Sequence, residues 1–284
     1  MHSYLLRTGE IFLKGKNKGF FEKKLLHNLR SLLKNKNVEG KIVKLRNRIY
    51  AETAEEADWK EAFGITSYSP CTRIKAEYET ILEEVYKICQ SYTGKTRFRI
   101  TTNQADPSFQ YTKQEMNEKL GGLVIEKTGA KVDLENHDEE IGVEILQGQA
   151  YIYRRTVACF GGLPVGVEGN VLLLIENEKS LLAGILAMKR GCALFPVANE
   201  KKDVTILEKY CHGTNPQLKL LKEINITECI EQYELQALVV GDTLKIIKEY
   251  PEMPVPVLRP LIGYDEKKIK EEMRKYEWNP QEKP

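Results

Sequence analysis

The sequence predicts a mixed α/β and α+β chain in three parts, and three observations carry that expectation. Helical and strand-like periodicities alternate along 284 residues, more than one average domain needs. A stretch with four glycines and a proline, "ACFGGLPVGVEGN" at 158–170, marks a boundary. Beyond it, residues 171–175 form an unbroken apolar run, as a strand covered on both faces requires, whereas "TRFRIT" earlier in the chain alternates apolar and charged residues.

Taken in order, a first strand falls around 4–7. Phe21, Leu25, Leu29, Leu32 and Leu33 recur at helical spacing and predict a helix over 19–34. "KIVKLRNRIYAE" gives two short strands around Asn47, and "EEADWKEAFGI" a short helix ended by Gly64. One helix, strands and a second helix suit a small ferredoxin-like unit over 1–70. Ile81, Leu82, Val85, Ile88 and Cys89 then share one helix face. In "TRFRIT", Phe98 and Ile100 point one way, Arg97 and Arg99 the other. Thr112 and Glu115 have capping-box spacing and open a helix running to Gly129. "KVDL", "IGVEIL" and "AYIYRRTV" complete an αβ unit over 71–160, the last strand ending in Arg154 and Arg155. In the third part, 161–284, the strand 171–175 leads to a helix over 181–190 with Ser180 as N-cap and Gly191 as stop. A helix from "NPQLKLLKEI" with Asn215 as cap, a strand "ALVV" and a helix from Asp265 follow, which implies a small parallel α/β sheet.

Net charge is only +2, but residues 1–50 hold 13 Lys or Arg against three Glu, leaving the remainder at −8. Such polarity points to a basic face that meets a polyanion. Arg7, Lys14, Lys16, Lys18, Lys23 and Lys24 fall on or beside the turn "LKGKNKGF", where ammonium groups reach a phosphate backbone. Arg97, Arg99, Arg154 and Arg155 offer guanidinium groups that fork onto phosphates or stack on unpaired bases, with Tyr111, Tyr151 and Tyr153 as stacking candidates. No run of about 18 apolar residues offers a membrane span. The six cysteines form no C-x-x-C pair and no zinc-like cluster, so no metal and a reduced, cytoplasmic setting are expected.

"RTGEIFLKGKNKGFFEKKL", "FGITSYSP", "SFQYTKQEMNEKLGG", "KVDLENHDEEIGVEI", "GGLPVGVEGNVLLL", "LAMKRG" and "VPVLRPLIGYDEKKI" resemble, in order, the successive signatures of the tRNA 4-thiouridine synthetase (tRNA sulfurtransferase) family. The resemblance implies a ferredoxin-like domain, a THUMP RNA-binding domain and a shortened PP-loop α/β domain. It also implies that the first two grip the tRNA acceptor region. The family's pyrophosphate loop reads S-G-G-x-D-S, because glycines let N–H groups close around an anion at a helix N-terminus. Here Ile175, Glu176, Asn177, Glu178, Lys179 and Ser180 stand in that place. Two carboxylates beside a triphosphate repel it by a few kcal/mol per close pair at an effective dielectric of about 20. The acceptor cysteine, which the family carries well after the segment matching "RPLIGYDEKKI", has no counterpart after Cys229. The expectation is a tRNA-binding family member acting in thio-modification without its own adenylation loop, catalytic residue or cofactor. Its implied partners are a thiolation enzyme or sulfur-donor protein, with a homodimer left open. The alternative is an active ATP-dependent tRNA sulfurtransferase, with ATP as cofactor.

Overall fold

The computed structural model describes residues 1–250 and 252–276, except the side chains of Glu10, Phe12, Leu13 and Lys14. The chain begins with β1 (His2–Thr8), a 3-10 segment (Glu10–Asn17), α1 (Lys18–Asn35), β2 (Gly40–Leu45), β3 (Arg48–Thr53) and β4 (Ile65–Pro70). Next come β5 (Thr72–Lys75), α2 (Tyr78–Cys89), β6 (Arg97–Gln104), α3 (Lys113–Thr128), β7 (Lys131–Val132), β8 (Glu139–Leu146), β9 (Gln149–Tyr153) and β10 (Val157–Ala158). The last part holds β11 (Asn170–Leu174), α4 (Glu178–Lys189), β12 (Ala193–Ala198), α5 (Thr205–Glu208), β13 (Lys219–Leu220), α6 (Ile226–Gln232), β14 (Leu238–Val239), β15 (Val257–Leu258) and α7 (Glu266–Lys275).

Contacts divide the chain into two compact units. One gathers Met1–Thr8, Val38–Ala57 and Thr66–Cys159; the other gathers Gly9–Asn37, Asp58–Ile65 and the chain from Phe160 onward.

The first unit contains two five-stranded sheets, ordered β10-β4-β1-β3-β2 and β5-β9-β8-β6-β7. In the second sheet β6 runs parallel to β8 with Phe98 opposite Glu139, and β9 runs antiparallel to β8. Its core packs Ile81, Val85, Phe98, Met116, Leu120 and Ile141 from α2, β6, α3 and β8. Thr112 and Glu115 form the capping box that starts α3, and Gly129 ends it in the left-handed region at φ 68°. Buried Glu144 on β8 takes guanidinium hydrogen bonds from Arg7 at 2.6 Å and Arg48 at 2.8 Å; Arg7 also donates to Ser69 at 3.0 Å and lies over the Tyr153 ring.

The second unit contains a parallel sheet ordered β13-β12-β11-β14-β15. As its apolar run requires, β11 is covered on both faces: Val171 and Leu173 pack in one core cluster with α4, Leu172 and Leu174 in another with α6.

Three elements differ from the sequence-based expectation. Residues 56–64 form an irregular stretch ending in turns over 60–64 rather than a helix. Asp58 Oδ1 accepts from the Lys60 N–H at 3.0 Å, a local bond that competes with the helical ladder, and Trp59, Ala62 and Phe63 are buried. "NPQLKLLKEI" contributes β13 instead of a helix, because Lys219 and Leu220 pair in parallel register with Val197 and Ala198 at the open edge of β12. Helix α4 starts earlier than Leu181: Asn177 is its N-cap, with Oδ1 accepting from the Lys179 N–H at 2.9 Å, and Ser180 lies inside the helix, fully buried.

Because Glu144 is nearly inaccessible and holds two guanidinium groups, Glu144→Ala should cost about 3–5 kcal/mol in denaturant unfolding. A double-mutant cycle with Arg7→Ala should be clearly non-additive; additive losses would show that the two side chains do not act together.

Candidate nucleic-acid interface and the loop before α4

Helix α1 has two chemically different faces. Its inner face buries Phe21, Leu25, Asn28, Leu29, Leu32 and Leu33. Polar groups on that side bind backbone of the same unit: Asn28 Nδ2 donates to Val165 O at 3.1 Å and Lys24 Nζ to Gly213 O at 3.2 Å. Burial pushes the Lys24 pKa down. Gly213 sits at φ +78°, and a Cβ there would lie 2.1 Å from Asn28 Oδ1, so only glycine brings this loop onto the helix. At the helix end Lys36 pairs with Glu61 at 2.9 Å, and His212 Nε2 stands 3.6 Å from the same carboxylate. Burial alone would raise the Glu61 pKa, but His212 and Lys36 outweigh it and hold it below its ordinary value.

The outer face of α1 carries Phe20, Lys23, His27, Arg30 and Lys34, at alternating spacings of three and four residues, all exposed, with Lys16 exposed just ahead of the helix. At 1.5 Å per residue, Phe20 to Lys34 spans about 21 Å. Of the cations expected to bind a polyanion, Lys23 stands on this row and Lys16 is exposed in the 3-10 segment ahead of it, while Lys18 lies 3.8 Å from Glu22. Lys24 is drawn inward, and the Lys14 side chain lies outside the described residues. Phe20, His27, Arg30 and Lys34 escaped the sequence reading. The same 3.6-residue period that located the apolar face also locates them, on its opposite side.

The five arginines of the first unit that the sequence offers for RNA all lie beside carboxylates. Arg7 is committed to Glu144, an internal role rather than a phosphate contact. Arg97 forks onto Asp138 at 2.7 and 3.1 Å, Arg99 bonds Glu140 at 2.8 Å, and Arg154 bonds Glu139 at 2.8 Å. The register explains the pattern, since β6 places Arg99 directly opposite Glu140 on β8. Arg155, two-thirds exposed, stands 3.8 Å from Glu56. Tyr151 and Tyr153 are buried and offer no ring face to a base, and burial pushes the Tyr153 hydroxyl up to about 12. Tyr111 lies half-buried against Tyr78, with Lys119 over its ring.

Residues 175–180 run from the end of β11 into the first turn of α4, and their charged side chains pair with residues distant in sequence. Ile175 is buried at the end of the strand, and Glu178 is exposed in the first turn of α4. Glu176 pairs with Lys248, and Lys179 with Glu266 at 2.6 Å. The Ser180 hydroxyl accepts from the Glu176 N–H at 3.2 Å. Gly241 crosses directly in front of the first turn of α4: a Cβ on it would lie 2.6 Å from the Ser180 nitrogen. Next to it, buried Asp242 takes Arg259 Nε at 3.1 Å and the Lys248 N–H at 3.2 Å. Lys248, Arg259 and Glu266 are distant in sequence, so their part in closing this loop had no local signal. Among the described residues no group of three or more His, Cys, Asp or Glu side chains is placed to hold a metal ion, and no helix is long and apolar enough to cross a membrane. Burial raises the thiol pKa of Cys89, Cys192 and Cys229, and pushes Cys211 up to about 11 and Cys71 to about 12, the opposite of an activated nucleophile.

A family model described as the ThiI ferredoxin-like domain matches residues 3–69, and one described as the THUMP domain matches residues 75–155. A probable tRNA sulfurtransferase of Moorella thermoacetica is 30% identical, over 96% of this chain and 83% of that protein. The chain belongs to the tRNA sulfurtransferase family. Its family relative from Thermococcus kodakarensis is 26% identical, over 93% of this chain and 85% of the relative. Among solved structures, that of PH1313 from Pyrococcus horikoshii is similar to this tRNA sulfurtransferase-family chain at a TM-score of 0.85 with 29% identity, covering 97% of this chain and 99% of the other. A 4-thiouridine synthetase solved with RNA and bound ATP shares the fold at a TM-score of 0.77 and 22% identity, covering 97% and 85%. In this family member α1 lies within the ferredoxin-like match, whereas the loop 175–180 lies outside both matched domains.

Because the Glu61 pKa is depressed in the folded protein, the stability it contributes is present above its ordinary value of 4.5 and is lost as pH falls through the folded value. Thermal unfolding of this tRNA sulfurtransferase-family chain should therefore lose a component on acidification below about 4.5 that is missing in Glu61→Gln. An identical acid limb in both proteins would refute that linkage.

Proposed function

We propose that this chain binds the acceptor region of tRNA through the outer face of α1 and takes part in tRNA thio-modification without a working adenylation loop of its own. The cationic row on α1 carries the reading. Exposed cations on one rigid helix, in the most basic fifty residues of the chain, suit a phosphate backbone, where each contact releases a counterion. The THUMP match over 75–155 supports RNA as the polyanion, as does a fold shared with a protein solved in complex with RNA. On this reading the division of labour follows the boundaries near 70 and 160, with the RNA contacts made before 160.

The loop supports the second half of the proposal. A phosphate cradle needs unpaired N–H groups, small residues and room before the helix N-terminus. Here Asn177 caps that terminus, Gly241 fills the space before Ser180, and both lysines nearest the loop already pair with carboxylates. Thiol chemistry would fall to a partner protein that carries an activated cysteine, since burial suppresses the thiolates of Cys192, Cys211 and Cys229.

Binding of a tRNA transcript should weaken steeply with salt. Removing Lys16, Lys23, Arg30 and Lys34 together should make the slope of log K against log salt shallower by about 3, at roughly 0.7–0.9 per phosphate contact. Arg97→Ala and Arg154→Ala should leave the slope unchanged. Titration calorimetry with ATP should show no binding at millimolar nucleotide. Saturable ATP binding with thiolation of the transcript by the purified chain would replace this reading with that of an active sulfurtransferase.

A further inference from the structure

We infer that Phe20 is a stacking residue for an unpaired base, so that α1 recognises an RNA duplex where it opens into a single strand. The inference rests on the RNA-binding reading above and adds a specificity to it.

Phe20 is 57% exposed although it sits on a well-packed helix whose apolar residues otherwise face inward. One exposed aromatic is ordinary on a protein surface. Its neighbours set this one apart: Lys23 follows on the same face, with His27, Arg30 and Lys34 beyond, and Lys16 is exposed in the 3-10 segment just ahead of the helix. The only described ring contact of Phe20 is with Phe21, edge to face at 5.7 Å with the planes 89° apart. Phe21 is buried, and Phe20 beside it keeps more than half of its surface toward solvent. A flat π-face between ammonium groups is the arrangement that holds single-stranded nucleic acid, the ring taking a base and the cations the flanking phosphates.

Position along the row decides what kind of RNA fits. Bases inside an A-form duplex are stacked on one another and present no face to an aromatic side chain, so Phe20 needs an unpaired base. From Lys23 to Lys34 the face carries only His27 and cations, over about 16 Å of straight helix. That stretch can follow the backbone of a paired stem. Phe20 lies at the end of the row, with Lys16 beyond it to meet the phosphate of the departing strand. A paired stem on Lys23–Lys34, its first unpaired base on Phe20 and the next phosphate at Lys16 accounts for all six side chains.

The test uses the full chain and two RNAs sharing one stem, one blunt and one with an unpaired extension carrying 2-aminopurine at its first unpaired position, made with the extension on either strand. Wild type should bind one extended RNA more tightly than the blunt one and quench the 2-aminopurine. Phe20→Ala should lose about tenfold on that RNA, within the range for one stacked base, and nothing on the blunt stem, with an unchanged salt slope. Phe20→Leu keeps an apolar cover on Phe21 without a ring and should behave like Phe20→Ala, whereas Phe20→Trp should retain both affinity and quenching. Equal loss on both RNAs, no loss, or rescue by leucine would overturn the inference. If the charge variants of the row flatten the salt slope while Phe20→Ala changes nothing, the RNA-binding reading stands and this one fails. If the charge variants leave the slope unchanged, the parent reading itself fails.

Discussion

Everything proposed for this chain depends on how α1 is held. A helix presents a rigid row of cations only if its other side is fixed, since lysine-rich helices gain little from propensity alone and most helical stability comes from packing. Leu25 and Leu29, both fully buried, supply the apolar anchor. Asn28, Lys24 and Lys36 then fix the rotation of the helix about its axis by bonds to Val165, Gly213 and Glu61. Rotation matters more than position here. A turn of one residue, about 100°, would carry Lys23 toward the apolar side and Lys24 toward solvent. The polar anchors on the inner face thus select which lysines reach a ligand.

The same competition between internal pairing and free charge recurs across the molecule. On the sheet of the first unit, register places carboxylates beside Arg97 and Arg99, and the resulting pairs contribute little stability individually while cancelling the field that a basic face would project. At the loop before α4 the cancellation is more complete. Glu176 and Glu178 would repel phosphate if left alone, but the structure shows Glu176 with its own ammonium partner, Lys248, and Glu178 in the helix first turn where a negative charge is favourable. Those carboxylates stabilise a closed loop rather than merely spoiling an open one.

How far the sequence discloses this follows from which interactions are local. The α1 period, the α3 capping box and the unbroken apolar run of β11 are decided within a few residues, and the structure has them where the pattern put them. Residues 56–64 and 215–224 carry helical periodicity but do not form helices, because their outcome depends on a neighbouring turn and on an open strand edge contributed from elsewhere. Among site residues the divide is the same. The exposure of Lys16 and Lys23 agrees with their charge clustering, and the same periodicity places Arg30 and Lys34 beside Lys23. The pairing of Arg7 with Glu144 has no local signal, because the two lie 137 residues apart. Lys248, Arg259 and Glu266 carried no signal, since only folding brings them to the loop.

A formal charge of +10 in fifty residues overstates the charge available to a ligand, and the structure shows by how much. Arg7 and Arg48 are spent on Glu144, Lys36 on Glu61, and Lys24 on a backbone carbonyl. The cations that face outward on α1 gain their significance from this subtraction, because they lie together on one helix face while Arg7, Arg48, Lys36 and Lys24 each already hold a partner. Electrostatic attraction of a phosphate chain depends on the uncompensated charges and on their spacing, within a Debye length of about 8–10 Å at ordinary salt. Lys23 and Arg30, two turns apart along α1, lie about that far from one another, and His27 sits between them. The row therefore forms one continuous electrostatic feature, and on the proposed reading Phe20 at its end would convert a general affinity for phosphate into a preference for where along an RNA the phosphates are bound.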